Sequence, residues 1–502
     1  MVLIKGAKIV DGSGVTSPYV ADVLVTGDKI SAIGKFPTKK ADLVLDGLGL
    51  YLTPGFIDVN TDSDHHLSLF TNPEQQDFLL QGVTTTFGGQ CGSSLAPLIY
   101  GTLDSIRKWT DTSQMNINWH SVAEFLKVLN QRKLGVNFGT LIGHSTIRRA
   151  MIGEDSRDLT VSELASFKKL IADGMTEGAF GLSTGLGYAH ARQVPYSEIR
   201  ELTSVVAEKK GVYATHLRDE DEGLLASVAE TIRIAEETGV KTLVSHFKPK
   251  IGFENEYRKA LAMIHASASE FNIHVDSYPF TETVVPLYTL LPRWAQVGNF
   301  EVMSSYLDNP DTRARVVHEL AGVDGNRIRI SQATGREYLL GKTVHELADS
   351  QEVGVGEALV RLMVLTGLRA TVFHTVINYD ILSQNLEREQ VLIASNGASL
   401  PAEAKTLKHE RFTRTFPKFL ELMLRLKGLT LAQAVRKITE EAADKFGLKD
   451  RGLIKEGYFA DLNLIAVKSG AVSVEHVLVN GKLAVQGRNA IGALAGKVLK
   501  RG

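Results

Sequence analysis

Cysteine is nearly absent from this chain, since Cys91 is the single one among 502 residues. An internal disulfide is therefore excluded, and the thiol is left as a free thiol, a metal ligand or a nucleophile. Charge of one sign is missing too, because the formal net charge is -1. No basic run with interleaved aromatic residues is present. We therefore predict no binding to nucleic acid or to an anionic membrane surface.

Long apolar runs are also missing. No stretch approaches the roughly 18 apolar residues of a membrane-spanning helix. The start, MVLIKGAKIVDGSG, lacks the basic head, apolar run and cleavage site of a signal peptide. We therefore expect a cytoplasmic protein. With 44% hydrophobic and 23% charged residues, the chain can bury at least one large core.

Both ends of the chain carry short runs of alternating apolar residues broken by Gly, Asp and Pro. VLIKGAKIV and ADVLVTGDKISAIG are examples near the start, and VEHVLVNGKLAVQG is one near the end. Alternation with a period of two predicts antiparallel strands, and Asn480-Gly481 has the composition of a tight hairpin turn. We predict that residues 1–54 and 455–502 form one composite β-sandwich lobe.

Between the two ends, short apolar runs alternate with longer helical patterns, which is typical of βα units and a parallel sheet. Eight such runs can be counted: FIDVN, TTTFGG, NFGTLIGH, AFGLSTG, VYATH, TLVSH, IHVDSYP and VLIASNG. Because eight parallel strands close a barrel, we predict an α/β fold with a TIM-like (β/α)8 barrel over residues 55–454. The connection after IHVDSYP is too long for one crossover, which predicts an inserted lobe over about 281–345.

Three potential metal ligands stand at the ends of these predicted strands. His216 ends VYATH, His246 ends TLVSH, and Cys91 follows TTTFGG. Taken alone, each is more often an ordinary core or surface side chain. The carboxyl ends of parallel barrel strands lie on one face, however, so the three side chains should converge there. A thiolate and two imidazoles with a vacant fourth position are typical of catalytic zinc, and we predict one zinc ion.

Longer segments resemble one known family in order along nearly the whole chain. They are PGFIDVNTDSD, QGVTTTFGGQCGSSLAP, GAFGLSTGLGY, YATHLRDE, LVSHFK, DSYPF, LIASNG, RFTRTFPK and DRGLIKEGYFADL. They resemble the N-acyl-D-amino-acid deacylases (D-aminoacylases) of the amidohydrolase superfamily. The resemblance implies the barrel, the lobe from both termini and the inserted lobe. It also implies that Cys91, His216 and His246 hold zinc, and that a linear amide C–N bond is hydrolysed to a carboxylate and a free amino acid.

Two family positions are substituted. After the first strand the family has His-x-His for a second, weaker metal, where this chain has Asn60 and Asp62. At the end of the eighth strand the family has Ser-Asp-Gly, whose Asp is the general base and acid, where this chain has Asn396. An amide cannot take and return a proton near neutral pH, and losing that help typically costs about 10²- to 10⁴-fold in rate.

Two interpretations follow from these substitutions. In the leading one, Asp62 acts as surrogate base or ligand, or Asp64, His65 or His66 takes over as base, and the protein stays a metal-dependent hydrolase. In the alternative, the barrel is a catalytically inactive relative, a pseudoenzyme that binds or regulates. Nucleophilic catalysis by Cys91 with a neighbouring histidine is a third interpretation.

Four further residues match positions where the family binds its substrate. These are Lys248, Tyr188, Tyr278 and Arg411. A cation such as Lys248 could pair with the free α-carboxylate of an N-acyl amino acid, which we predict, together with related amides, as the small-molecule partner. Arg218 and Glu220 in HLRDE are expected to pair with each other or to brace the strand of His216.

Overall fold

The computed structural model describes residues 1–100, 103–110, 112, 116–268 and 270–501. The strands of these residues, in chain order, are Val2–Ile9 (β1), Tyr19–Thr26 (β2), Lys29–Gly34 (β3), Leu43–Asp46 (β4), Tyr51–Pro54 (β5), Phe56–Asp58 (β6), Val83–Gly88 (β7), Asn137–Thr140 (β8), Ile142–Gly143 (β9), Gly181–Gly185 (β10), Val212–His216 (β11), Lys241–Val244 (β12), Ile273–Ser277 (β13), Glu282–Pro286 (β14), Ile328–Gln332 (β15), Thr371–Thr375 (β16), Val391–Ile393 (β17), Leu462–Lys468 (β18), Ala471–Val479 (β19), Lys482–Gln486 (β20) and Asn489–Ala490 (β21).

The α-helices of the same residues are Ser68–Thr71 (α1), Gln76–Leu79 (α2), Val122–Arg132 (α3), His144–Ile152 (α4), Val161–Glu177 (α5), Tyr196–Glu208 (α6), Leu224–Thr238 (α7), Glu254–Ala268 (α8), Phe300–Asp308 (α9), Pro310–Leu320 (α10), Val344–Ser350 (α11), Val355–Leu365 (α12), Tyr379–Asn385 (α13), Arg411–Leu426 (α14), Leu431–Lys437 (α15) and Glu440–Phe446 (α16). None of these helices has both the length and the apolar character needed to cross a lipid bilayer.

The predicted barrel is confirmed. Strands β6, β7 and β8 pair in parallel, and β9 to β13 and then β17 pair in parallel after a one-residue break at Leu141. A parallel bridge between Thr61 and Gly397 joins the ends of the first and last barrel strands. The eight predicted runs are therefore the eight strands of the ring, and their carboxyl ends share one face.

The barrel interior is filled by side chains, as the mostly apolar strands require. All six residues of β7 are buried. Phe87 on this strand lies 3.8 Å, between ring centroids, from Phe446 at the end of α16, and it meets Phe180 edge to face. The interior is thus a packed core, and in barrels of this kind the active site lies at the face where the strands end.

Several helices start where the sequence supplies a capping box. Thr160 accepts a hydrogen bond from the backbone of Glu163, whose side chain accepts one from the Thr160 backbone, and this starts α5. Ser121 and Glu124 start α3 in the same way. These capping boxes fix the starting points of two outer helices of the barrel.

Strands from both termini form one sheet of nine strands within the described residues, in the order β21-β20-β19-β18-β5-β1-β2-β3 with β4 also on β1. The two ends meet where β18 runs antiparallel to β5, with Leu462 opposite Pro54. Strand β1 pairs in parallel with β4 near its start and with β5 near its end, and the sandwich form of the lobe stays a prediction. The boundaries at 54, 55, 454 and 455 stay predictions.

The inserted lobe has its own antiparallel sheet and its own core. The sheet order is β14-β16-β15, and helices α9 to α12 pack around a cluster that reaches from Leu287 to Val372. The lobe is longer than the predicted 281–345, because the middle strand of its sheet, β16, is supplied only by residues 371–375. Strands β14 and β16 form one wall of the cavity at the barrel face.

Candidate metal centre and active site

A cavity of about 400 Å³ opens at the carboxyl ends of the barrel strands. Cys91, His216 and His246 all line it, together with Asp62 and Asn396 from the first and last barrel strands. The structure therefore brings the three predicted ligands and both substituted catalytic positions into one chamber. Its opposite wall comes from the inserted lobe.

Cys91, His216 and His246 offer three ligand atoms that all lie within 4.8 Å of one another. The Cys91 Sγ lies 3.5 Å from the His246 Nε2. A sulfur and a nitrogen bound to the same tetrahedral zinc ion would be about 3.5 Å apart, given their usual bond lengths. The donor set and its spacing thus fit zinc.

His246 is oriented by a carboxylate. Its Nδ1 lies 3.2 Å from the Glu220 Oε1, and Lys248 donates to both Glu220 oxygens at 2.7 and 2.8 Å. Burial raises the pKa of Glu220, but Lys248 and the two histidines lower it more, so this carboxyl is ionised. A proton on Nδ1 then leaves the Nε2 lone pair facing Cys91, which is how metal-binding histidines are commonly held.

The expected pairing of Arg218 with Glu220 is wrong. Arg218 instead forms a two-point ion pair with Glu230 on α7, at 2.7 and 3.0 Å. Glu220 faces the cavity, because the loop after β11 turns it toward the neighbouring strand β12 and away from its own helix. The sequence does carry a signal for a role of Glu220 at the site, because Glu220 follows His216 by four residues and a metal-bound histidine often has a carboxylate nearby.

The loop that carries Cys91 depends on glycine. Cys91 itself has φ of 51° and lies between Gly89 and Gly92, which also have positive φ. A Cβ on Gly89 would lie 2.1 Å from the Leu141 carbonyl oxygen. Gly92 donates its backbone N–H to the Ser183 hydroxyl on β10 at 3.0 Å. The GGQCG segment is therefore held tightly against two barrel strands, and Cys91 is aimed into the cavity.

Burial acts on both kinds of ligand. Burial raises the pKa of the Cys91 thiol. Burial and the neighbouring His246 together lower the pKa of His216 far below its usual value. A neutral imidazole suits metal binding. A thiol with a raised pKa is a poor nucleophile in the absence of a cation, which disfavours Cys91 as a covalent catalyst.

Asn60, at one of the two positions where the family resemblance implies ligands for a second metal, is held by internal hydrogen bonds through its amide nitrogen. The Asn60 amide donates to both oxygens of Asp276, at 3.2 and 3.4 Å, and Asp276 also accepts the backbone N–H of His246 at 2.8 Å. The amide nitrogen of Asn60 is a donor without a lone pair for a metal. Asn60 therefore braces the strand end of His246.

Asn396 and Asp62 face each other across the seam that closes the barrel. The Asn396 amide donates to the Asp62 Oδ2 at 3.1 Å. Backbone bonds on both sides fix this contact, from Asn396 N to Asn60 O at 2.9 Å and from Asp62 N to Gly397 O at 2.7 Å. Position 396 therefore lacks the carboxylate of the family, but Asp62, which is hydrogen-bonded to Asn396, supplies one beside it.

The other carboxylate and imidazoles of this segment differ in their access to the cavity. His65 lines it and lies 3.0 Å from Asp62, nitrogen to oxygen. Asp64 is turned away and accepts the backbone N–H of Gly89 at 2.6 Å. His66 does not line the cavity, and burial lowers its pKa to about 4. Of these candidate bases, Asp62 and His65 alone reach the chamber.

The four predicted substrate-binding residues have different positions. Tyr188, Lys248 and Arg411 line the cavity. Tyr278 does not, and its hydroxyl instead accepts a hydrogen bond from Arg411 at 3.3 Å. Arg411 is 2% exposed, and its Nε has no hydrogen-bond partner. Lys248 is held by Glu220, so Arg411 is the better placed cation for a substrate anion.

The chain is similar to known proteins over its full length. The chain is 31% identical to a D-aminoacylase from Alcaligenes xylosoxydans xylosoxydans, over 100% of this chain and 97% of that protein. It is 28% identical to an N-acyl-D-aspartate deacylase of the same organism, over 100% and 95%. The amidohydrolase family model matches residues 411–484.

Solved structures give the same result. A D-aminoacylase with a binuclear metal centre, described as activated by one metal and attenuated by the second, has a TM-score of 0.82 at 27% identity. That match covers 100% of this chain and 99% of the other. This chain belongs to the N-acyl-D-amino-acid deacylase (D-aminoacylase) family of the amidohydrolase superfamily.

Proposed function

We propose that this protein is a metal-dependent amidohydrolase that removes the acyl group from N-acyl-D-amino acids. The observation that carries the proposal is the convergence of Cys91, His216 and His246 in one cavity. Relatives over the full chain are named as deacylases of N-acyl-D-amino acids. A protein that had lost this reaction would have no evident need for three potential metal ligands in a cavity. It would also have no evident need for Glu220, which orients one of them, His246.

The metal is one zinc ion, held by Cys91, His216 and His246. Zinc supplies Lewis acidity, which polarises an amide carbonyl and lowers the pKa of water. Among the described residues, Cys91, His216 and His246 form the single group of three ligand side chains close enough to hold a metal ion, so we propose no second ion. Asn60 is bonded to Asp276, and Asp62 is a single carboxylate already engaged by Asn396 and His65.

Arg411 binds the free α-carboxylate of the substrate. It is a buried guanidinium on the cavity wall, and the Nε donor has no partner within the protein. Guanidinium and carboxylate form a strong, directional pair when water is excluded. Tyr278 holds Arg411 from behind, and Tyr188 lies beside His216 with ring centroids 4.9 Å apart. Lys248 acts on the site through Glu220.

Asp62 takes the role that Asn396 cannot perform. It is 6% exposed, faces the cavity and is fixed by the backbone seam between the first and last strands. Burial raises its pKa, but His65 and Arg411 lower the pKa more strongly, so the side chain is a carboxylate. It can thus accept a proton from water, and Asn396 keeps it in place.

A second candidate function is favoured by Asn396 alone. An amide at the usual position of the general base is the signature of a pseudoenzyme, which would bind an N-acyl amino acid without turnover. The two candidates differ in one measurable property, the release of free amino acid.

The test is hydrolysis of N-acetyl-D-amino acids with neutral and acidic side chains by zinc-loaded protein, followed by the appearance of free amine. The deacylase proposal predicts metal-dependent release that Cys91→Ala abolishes, with L-enantiomers as the matched control. Binding of the same compounds by calorimetry without any release would refute turnover and favour the inactive relative.

A further inference from the structure

His65 lies between two hydrogen-bond acceptors. Its Nδ1 is 3.0 Å from the Asp62 Oδ1, and its Nε2 is 3.0 Å from the Ser93 carbonyl oxygen. A carbonyl oxygen and a carboxylate can only accept protons, and a neutral imidazole has one N–H to offer. Both contacts are attractive only when the ring carries two protons. The Nδ1 contact does not meet the criteria for a hydrogen bond, so it is an ion pair when the ring is doubly protonated.

The pair is almost completely buried at the edge of the cavity. His65 is 1% exposed and Asp62 is 6% exposed. A buried carboxylate without a cation would be costly, and so would a buried imidazolium without an anion. Each therefore stabilises the charge of the other.

The charged and titratable groups around Asp62 come from several elements. Asp64, His65 and His66 belong to its own segment, Arg411 starts α14, Cys91 and Lys108 follow β7, and Tyr188 follows β10. Those that interact with Asp62 are His65, His66, Arg411, Asp64, Cys91, Lys108 and Tyr188. His65 has the largest effect among them in keeping Asp62 ionised.

We propose that His65 is the positioning residue of a proton-transfer pair, in which its imidazolium keeps Asp62 ionised and aimed at the reacting water. This inference rests on the proposed function. Asp62 takes one proton from the attacking water as the new C–O bond forms. It returns that proton to the nitrogen of the leaving amine as the C–N bond breaks, which leaves a carboxylic acid and a neutral amine. The acid then loses its proton to the amine, which gives a carboxylate and an ammonium ion. The pair of Asp62 and His65 thus performs the proton transfer that the family's carboxylate at position 396 would perform.

The first experiment compares His65→Gln with His66→Gln as the matched control, since His66 is the neighbouring histidine that does not line the cavity. A cation beside a carboxylate lowers its pKa by about 1 to 3 units. In His65→Gln the acid limb of the kcat/KM profile should move to higher pH by about that amount. Zinc content should stay unchanged, and the acid limb of His66→Gln should move less than that of His65→Gln, because His66 has a smaller effect on Asp62 than His65 has. An unmoved acid limb in His65→Gln would overturn the proposal.

A second experiment does not depend on turnover. Nitrogen-15 NMR of histidine-labelled, zinc-loaded protein at neutral pH should show one ring with both nitrogens protonated. This resonance should be lost in His65→Gln. If that variant does not fold, the resonance should change to a neutral ring in Asp62→Asn. A singly protonated His65 in the wild type would overturn the proposal. Absence of hydrolysis by the wild type would instead contradict the proposed function.

Discussion

The role of the Asp62 carboxylate is tested most directly by removing it and then restoring a carboxylate at position 396, on the other side of the contact that joins the first and last barrel strands. Asp62→Asn leaves two facing amides at positions 62 and 396, where one hydrogen bond of 3.1 Å joins carboxylate and amide in the wild type. Losing general acid-base help typically costs about 10²- to 10⁴-fold in rate. This corresponds to about 2.7 to 5.4 kcal/mol in the barrier. We expect a loss of that size in kcat with zinc content unchanged.

The double variant Asp62→Asn/Asn396→Asp then restores one carboxylate on the other side of the same contact. The net charge and the shape of both side chains are the same as in the wild type. We expect the double variant to be at least about tenfold faster than Asp62→Asn. It should remain slower than the wild type, because the contact between His65 and Asp62 is lost.

The assay is steady-state release of free amine from an N-acetyl-D-amino acid, with zinc measured on the same samples. Asp62→Asn with activity within a few fold of the wild type would refute the role of Asp62. A strong gain from Asn396→Asp together with Asn60→His and Asp62→His, starting from an inactive wild type, would instead identify a disarmed enzyme.

Three other predictions concern the groups around the metal and the substrate. Glu220→Gln removes the carboxylate 3.2 Å from the His246 Nδ1, so zinc affinity should fall by about 10- to 100-fold, as measured by competition with a chelator. Gly187→Ala would place a Cβ 2.6 Å from the His216 Nε2, and the displaced ring should reduce zinc occupancy, as seen by elemental analysis. Arg411→Lys loses the planar fork that suits a carboxylate, so KM should rise about 10-fold or more with zinc content unchanged; an unchanged KM would remove Arg411 from substrate binding.

The convergence of the three potential metal ligands could be predicted from sequence because it follows from strand order. His216 and His246 end consecutive barrel strands, and Cys91 follows an earlier one. Parallel strands put all their ends on one face, so the convergence required no knowledge of side-chain direction. The barrel and its eight strands are confirmed by the strand pairing, and the family is confirmed by the full-length similarity to a D-aminoacylase.

Side-chain pairing around those ligands was not predictable in the same way. Arg218 and Glu220 are two residues apart, yet loop geometry sends Arg218 to Glu230 and Glu220 to Lys248. Tyr278 follows a barrel strand like the ligands do, but its hydroxyl meets Arg411 behind the cavity. Such contacts join distant segments, and no spacing rule in the sequence encodes them.

The extent of the inserted lobe depended on sheet order. The length of the chain after β13 showed in the sequence that a segment is inserted there, but the sequence did not show where that segment ends. Strand β16 inserts between β14 and β15, so the lobe closes only at Thr375. Its short alternating run resembles any other strand, and nothing local separates it from the strands of the barrel.

The central claim is that Cys91, His216 and His246 hold one catalytic zinc ion. Elemental analysis of chelator-free protein, run in parallel for the wild type and Cys91→Ala, tests it most directly. We predict about one zinc per chain in the wild type and loss of that zinc in the variant, with the fold of the variant checked by circular dichroism. No zinc in either protein, or the same zinc content in both, would contradict the claim.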